Sequence, residues 1–346
     1  MQPPGRKRRL IGYNSPMHLR IAFYLISVIV LFAGIGFGQG DDPIKVESSI
    51  VRLNVGVVDV RGRSITTLDR RDFAVYEDGV KQQVTRFETT AAPFSVVMLL
   101  DMSGSTKSFR QNIQFSALRF LDALGPDDRI AVIEFYSKVN LLNDFTTNRN
   151  IAAHSITVAN GAGETNLYKA LQFALDKLAD ERSRRKAVVV LTDGVDTDAQ
   201  SSDRKLIADL PDDKVPSAIK PENNATLARI LNRSDAQGVT IYPLALPTGD
   251  PAKLADPTPR QIAMYKAARA RLQIIADRSG GTLNAINHLE EMGVLYARVA
   301  ADLRTLYTLE YQPANDKRDG KWRAIRVEVS DPELIARSRQ GYFARQ

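Results

Sequence analysis

At 346 residues the chain is too long for one small core, and a composition that is 44% hydrophobic and 25% charged excludes wholesale disorder. It has no cysteine, which excludes disulfides, thiolate metal sites, thiol nucleophiles and a lipid-anchored cysteine, though not export. Much of the formal net charge of +7 sits in two basic runs, Arg6 to Arg9 and Arg182 to Lys186. The first belongs to a targeting segment and the second to the end of a helix, where cations suit the dipole, so no nucleic-acid partner is expected.

Residues 1–40 read as a signal peptide or an N-terminal membrane anchor. A basic stretch precedes an uncharged apolar run, Ile21 to Gly38, followed by a polar "DDP". Gly36 and Gly38 suit cleavage just before Gln39, yet the run is nearly as long as the roughly 20 residues that span a bilayer. Both readings stay open. Either predicts an exported chain that is periplasmic, at the cell surface or secreted, with anchoring in the inner membrane if the segment is not cleaved. "GIGFG" in this run lacks the preceding strand and following helix that a dinucleotide loop needs.

Residues 41–91 are β in pattern. Val51, Leu53, Val55 and Val57 alternate as in a half-buried strand, and Asp78-Gly79 separates two strand-like runs, a hairpin signal. From residue 92 the character changes. "FSVVMLLD" (94–101) and "KAVVVLTDG" (186–194) are apolar runs ending in aspartate, as expected of strands buried on both faces of a parallel sheet. Further strands are predicted at 129–137, 139–146, 239–246 and 281–286, and helices at 106–124, 166–180, 260–278 and 288–305. Ile113, Phe115, Leu118, Phe120 and Leu121 carry the periodicity of the first helix, and Leu167, Leu171, Leu175 and Leu178 that of the second. Residues 196–224 and 247–260, rich in Pro, Asp and Lys, read as loops or insertions at the rim. Residues 306–346 return to β alternation, with "NDKRDG" as a turn.

The expected fold is therefore α/β: a doubly wound, mostly parallel, Rossmann-like sheet over 92–305. Neither β end is long enough to stand alone, so a smaller β domain built from 41–91 and 306–346 is expected, with the α/β domain inserted into it.

Three pieces occupy corresponding places. Asp101, Ser103 and Ser105 follow the strand at 94–101, Thr165 precedes a helix, and Asp193 follows the strand at 186–192. Ligands of open α/β sheets bind outside the carboxyl ends of strands, where strand order reverses. Two carboxylates and three hydroxyls are all oxygen ligands, suited to Mg²⁺, Mn²⁺ or Ca²⁺. Taken singly, either serine reads as a helix cap and Asp193 as a turn residue; their ordered conjunction reads as a metal site.

This set resembles the metal-ion-dependent adhesion site of von Willebrand factor type A domains, whose motif is D-x-S-x-S, a separate Thr and a separate Asp. Asp101, Ser103, Ser105, Thr165 and Asp193 match all five positions. The flanks "DFAVYEDG", "YTLEYQP" and "RQGYFA" resemble bacterial VWFA-related exported proteins. The resemblance implies a type A fold over about 92–305 and a metal site made of those five residues. The two serines and the threonine would touch the metal, and the aspartates would act directly or through water. The expected function is non-catalytic: metal-dependent, adhesion-type binding of a protein whose Asp or Glu carboxylate completes the coordination. A structural envelope protein with a metal staple is the alternative, and a metal-dependent hydrolase a weaker one. No nucleophile elbow or phosphate loop occurs, and His18, His154 and His288 read as a targeting-segment residue and helix-surface or helix-start residues. Asp196 and Asp198 lack calcium-loop spacing and are expected to be surface carboxylates.

Overall fold

The computed structural model describes residues 50–181, 184–253, 255–286 and 291–344. The N-terminal part forms β1 (Val51–Val58), β2 (Phe73–Glu77), β3 (Val80–Gln82) and β4 (Val84–Glu88). Asp78 and Gly79 turn β2 into β3 with φ of 49° and 81°, the double left-handed geometry that a two-residue hairpin favours. The middle supplies β5 (Phe94–Asp101), β6 (Arg129–Phe135), β7 (Val139–Thr146), β8 (Arg185–Thr192), β9 (Val239–Ala245) and β10 (Asn284–Ala285). Its longer helices are α1 (Arg110–Ala123), α2 (Arg149–Val158), α3 (Leu167–Ala179), α4 (Thr197–Ile207), α5 (Ala225–Gln237), α6 (Pro259–Ser279) and α7 (Met292–Arg304), with one further turn of helix at Val215–Ala218. The C-terminal part adds β11 (Leu306–Tyr311), β12 (Trp322–Val329), β13 (Ile335–Arg337) and β14 (Gly341–Phe343).

The central sheet runs β10-β9-β8-β5-β6-β7, parallel except for β7. Side chains of β5 alternate between two cores, as the two-residue period of a strand requires. Val96, Met98 and Leu100 pack with Ile113 and Phe120 of α1 and Tyr296 of α7. Val97 and Leu99 face Leu171 and Leu175 of α3, Ile230 of α5 and Leu272 of α6. From β5 the chain winds outward to β6 and β7, then returns to lay β8 on the other flank of β5. Strand order reverses between β5 and β8.

Two four-stranded antiparallel sheets, β13-β1-β11-β4 and β14-β12-β2-β3, each combine strands from both chain ends. Leu53, Val55, Val75, Tyr307, Leu309 and Tyr311 form the core between them. These sheets join the α/β layers within one compact unit, Ser48–Gln346. Asn54 Nδ2 donates to Thr240 Oγ1 at 2.8 Å, and Arg339 Nη1 donates to the Asp235 carbonyl at 2.8 Å.

The structure corrects the sequence reading in several places. Residues 196–224 are not simply loop, because α4 occupies 197–207. Its N-cap Asp196 accepts from Ala199 N, and its buried Asp203 forms a bidentate pair with Arg271 at 2.6 and 2.7 Å. α2 and α5 were also not expected. α5 has an Asn224 cap at 2.8 Å from Leu227 N and a left-handed Gly238 at its end, and it makes the crossover that parallel β8 and β9 require. The second basic run does not end a helix. α3 stops at Ala179, and Arg185 and Lys186 are buried in β8. The Arg185 guanidinium is taken up by the carbonyls of Thr90, Ala92 and Leu306 and stacks on Phe94, 3.9 Å from the ring centre. Phe115, expected on the buried stripe of α1, is 58% exposed. The targeting segment, His18, Arg182 and His288 lie outside the described residues. Among those described, no helix is long and apolar enough to cross a membrane.

Candidate metal centre

β5 delivers Asp101 to the carboxyl edge of the sheet with no solvent exposure. The chain then folds back on itself. Thr106 Oγ1 donates to the carbonyls of Asp101 at 2.8 Å and Ser103 at 3.1 Å, closing a turn before α1. Met102 turns into the core, while Ser103 N donates to Asp101 Oδ1 at 3.1 Å. The Ser103 and Ser105 hydroxyls stand 3.2 Å apart, the first buried and the second exposed.

On the adjacent strand, Thr192 Oγ1 donates to Asp101 Oδ2 at 2.7 Å and accepts from Gly194 N at 3.1 Å. Asp193 Oδ1 accepts from Val195 N at 3.0 Å, and Ser105 stands near enough to favour the charged form of the same carboxylate. Gly194 has φ of 85°, and a Cβ there would meet Leu272 Cδ1 at 2.7 Å, so both conformation and space demand glycine. Gly249 lies flat against the site: a Cβ on it would fall 1.9 Å from the Asp193 carbonyl oxygen.

Thr165 is buried on the loop before α3. Its N–H donates to Thr197 Oγ1 and its carbonyl accepts from Thr197 N, both at 3.0 Å. Two residues earlier, the Gly163 carbonyl accepts from Gly104 N at 2.9 Å. Ser103 thus ties Asp101 to Ser105 through its amide and its hydroxyl, Asp193 directly follows the Thr192 that bonds Asp101, and Thr165 is tied to this loop through the backbone of its own. Asp196, expected at the surface, is instead 5% exposed. Its second oxygen accepts from Tyr168 N at 3.0 Å, joining the start of α3 to that of α4. Asp198 is exposed, as expected, and so is His154 on α2.

The electrostatics are those of an anionic pit. Burial, and then the negative charge of Asp193, push the Asp101 carboxyl up to about 7, against the lowering effect of Ser103 and Thr192. Burial also raises Asp193, opposed first by Ser105 and then by the Val195 amide. Two desolvated carboxylates that repel each other are relieved by a cation. Hydroxyl and carboxylate oxygens, without nitrogen or sulfur, fit a hard divalent one.

The sequence pattern of the von Willebrand factor type A domain family matches residues 96–195, a span that runs from β5 through Asp193. Residues 96–195 carry the sequence pattern of a von Willebrand factor type A domain. Solved structures similar to the chain include the von Willebrand factor domain of the type V pili tip protein Mfa5 from Porphyromonas gingivalis. It is 14% identical with a TM-score of 0.44, over 61% of this chain and 94% of that one. A von Willebrand factor type A structure from Catenulispora acidiphila is 15% identical with a TM-score of 0.45, over 87% of this chain and 64% of that one. Proximal thread matrix protein 1 from the mussel byssus, with a zinc-occupied MIDAS motif, is 13% identical with a TM-score of 0.45, over 65% of this chain and 49% of that one. No curated protein matches the chain.

Around the type A motif, the sequence reading missed residues that position rather than supply the five oxygens. Thr192 precedes Asp193 in "LTDG", and Thr106 follows Ser105 in "SGST"; each adjacency was visible, but not which carboxylate or carbonyl its hydroxyl would reach. Gly249 carried no local signal, because its contact with Asp193 arises only when the 247–249 turn folds against β8.

Proposed function

We propose that the chain is a non-catalytic, divalent-metal-dependent protein-binding module of the adhesion type, exported to the periplasm, cell surface or exterior. Asp101, Ser103, Ser105, Thr165 and Asp193 hold Mg²⁺, with Mn²⁺ or Ca²⁺ as alternatives. A partner's Asp or Glu carboxylate completes the coordination. The observation that carries this reading is the pairing of buried Asp101 and Asp193 across the β5–β8 reversal, with the Ser103 and Ser105 hydroxyls between loop and carboxylates. When bound, the cation supplies positive charge that attracts a further carboxylate. The chain's own residues set its position. Asp101 is oriented by Thr192 and Ser103 N, Asp193 by Val195 N, and the exposed Ser105 marks the side open to a partner. Residues 41–91 and 306–346 act as one β support for the 92–305 domain, and no nucleic acid takes part.

The experiment is calorimetric titration of the exported region with Mg²⁺ and Mn²⁺, followed by partner capture from envelope extract with and without EDTA. One site, abolished in Asp101→Ala and Ser103→Ala, is expected, with capture that EDTA removes. Equal capture in EDTA would refute the bridge.

A structural staple is the second reading, favoured by the burial of Asp101, Ser103, Thr165 and Asp193 and by the hydrogen bonds that tie their loops together. Thr165→Ala separates the two. A staple predicts that capture falls only in step with melting temperature, whereas an adhesion site predicts loss of capture by a chain that stays folded.

A further inference from the structure

A second cavity, of about 400 Å³, opens at the amino ends of the central strands, the end of the sheet opposite the metal centre. Its walls come from the loop entering β5, the turn before β6, the start of β8 and the last residue of α7. Guanidinium groups converge here. Arg185 is 1% exposed, and its hydrogen bonds go to the carbonyl oxygens of Thr90, Ala92 and Leu306. Among the described residues it forms no ion pair with a carboxylate, and its Nε has no hydrogen-bond partner. Burial holds this guanidinium down at about 10. Arg304 is exposed on the cavity wall, with no hydrogen bond or ion pair among the described residues. Its Nη2 lies 3.5 Å from where a Gly125 Cβ would stand. From behind the turn, Arg149 Nη2 donates to the Asp128 carbonyl at 3.1 Å, and Arg184 Nη2 donates to the Asp127 carbonyl.

The acidic side of the balance is weaker. Asp128 lines the cavity, but its Oδ1 accepts from Phe94 N at 2.8 Å and its Oδ2 from Gly125 N at 2.7 Å. Glu88, within electrostatic reach of Arg185, is paired with Arg86 at 2.6 Å. Asp127 is exposed on the wall and can only hinder an incoming anion. Asp128 is the first of the negative charges that act on Arg185, followed by Glu88, but neither forms an ion pair with it, so an anion in the cavity would add a direct partner for the buried guanidinium.

We propose that this cavity binds a small organic anion. Its phosphate or carboxylate group faces Arg185 and Arg304, and its apolar body lies against Pro93 and Pro126. The volume suits a small ligand, and charge-assisted bonds to guanidinium provide the orientation. The site is independent of the metal centre and belongs to the seam between the inserted α/β layers and the sheet containing β11.

The test uses the full chain in low-salt buffer containing EDTA, so that the metal centre takes no part. Phenyl phosphate and benzoate are titrated by calorimetry and by melting temperature, with phenol as the neutral control. Saturable binding of one or both anions, and none of phenol, is expected. Arg304→Glu, at an exposed position that leaves the circular dichroism spectrum unchanged, should weaken binding at least about tenfold. Asp127→Asn should tighten it. Whichever anion binds more tightly identifies the acid group. Absence of saturable binding by both anions, or binding equal in Arg304→Glu and the unmodified chain, overturns the proposal.

Discussion

Asp101 is held by donors of different origin: the Ser103 amide of its own loop and the Thr192 hydroxyl of the neighbouring strand. The second orients the carboxylate without being one of the five proposed oxygens. Thr192→Val should therefore lower Mn²⁺ affinity by about tenfold, read by calorimetry, as loss of a supporting hydrogen bond does at other metal sites. Unchanged affinity would mean that the loop alone sets the carboxylate. The pair with Asp193 also makes a prediction about pH. In the folded, metal-free chain the Asp101 carboxyl titrates near 7, against an ordinary value of 3.8. Between these values the folded chain keeps a proton that the unfolded chain has lost. The stability from this group is fully present below the unfolded value and is lost as pH rises through the folded one. Melting temperature in EDTA should fall between about pH 4 and about pH 7, and Asp101→Asn should flatten that slope. A slope unchanged in the variant would place the titration elsewhere.

At the scale of elements, legibility followed the width of the apolar stripe. α3 buries Leu167, Leu171, Leu175 and Leu178, so its periodicity stands out in the chain. α4 buries only Ala199, Asp203 and Ile207, and one of these is a carboxylate matched by Arg271. A hydrophobic pattern cannot register such a helix, because a distant guanidinium neutralises part of its buried face. The better signal was Asp196, which caps α4 and also accepts from Tyr168 N. Asp196→Ala should cost roughly 1–3 kcal/mol, measured as a lower urea midpoint, since it removes a cap and leaves a second amide unsatisfied. A change within a few tenths of a kcal/mol would show that water replaces both bonds.

At the scale of the whole molecule, β11 stands between β1 and β4, and its first carbonyl receives Arg185. Removal of residues 306–346 should abolish hydrogen-exchange protection over 50–88. It should also lower the stability of the α/β layers, because Arg185 and Asp235 lose the partners Leu306 and Arg339. Retained protection over 50–88 would mean that those strands fold without the C-terminal end. What was legible without coordinates were features decided between near neighbours. The β5 and β8 runs, the Asp78-Gly79 hairpin and the D-x-S-x-S spacing follow from alternation, turn conformation and the geometry of one loop. Tertiary structure alone decided that Thr192 would reach Asp101, 91 residues away, that Gly249 would seat against Asp193, and that Arg185 would be buried among carbonyls. Those contacts depend on strand order and on which loops the finished sheet brings together, and no local periodicity encodes either.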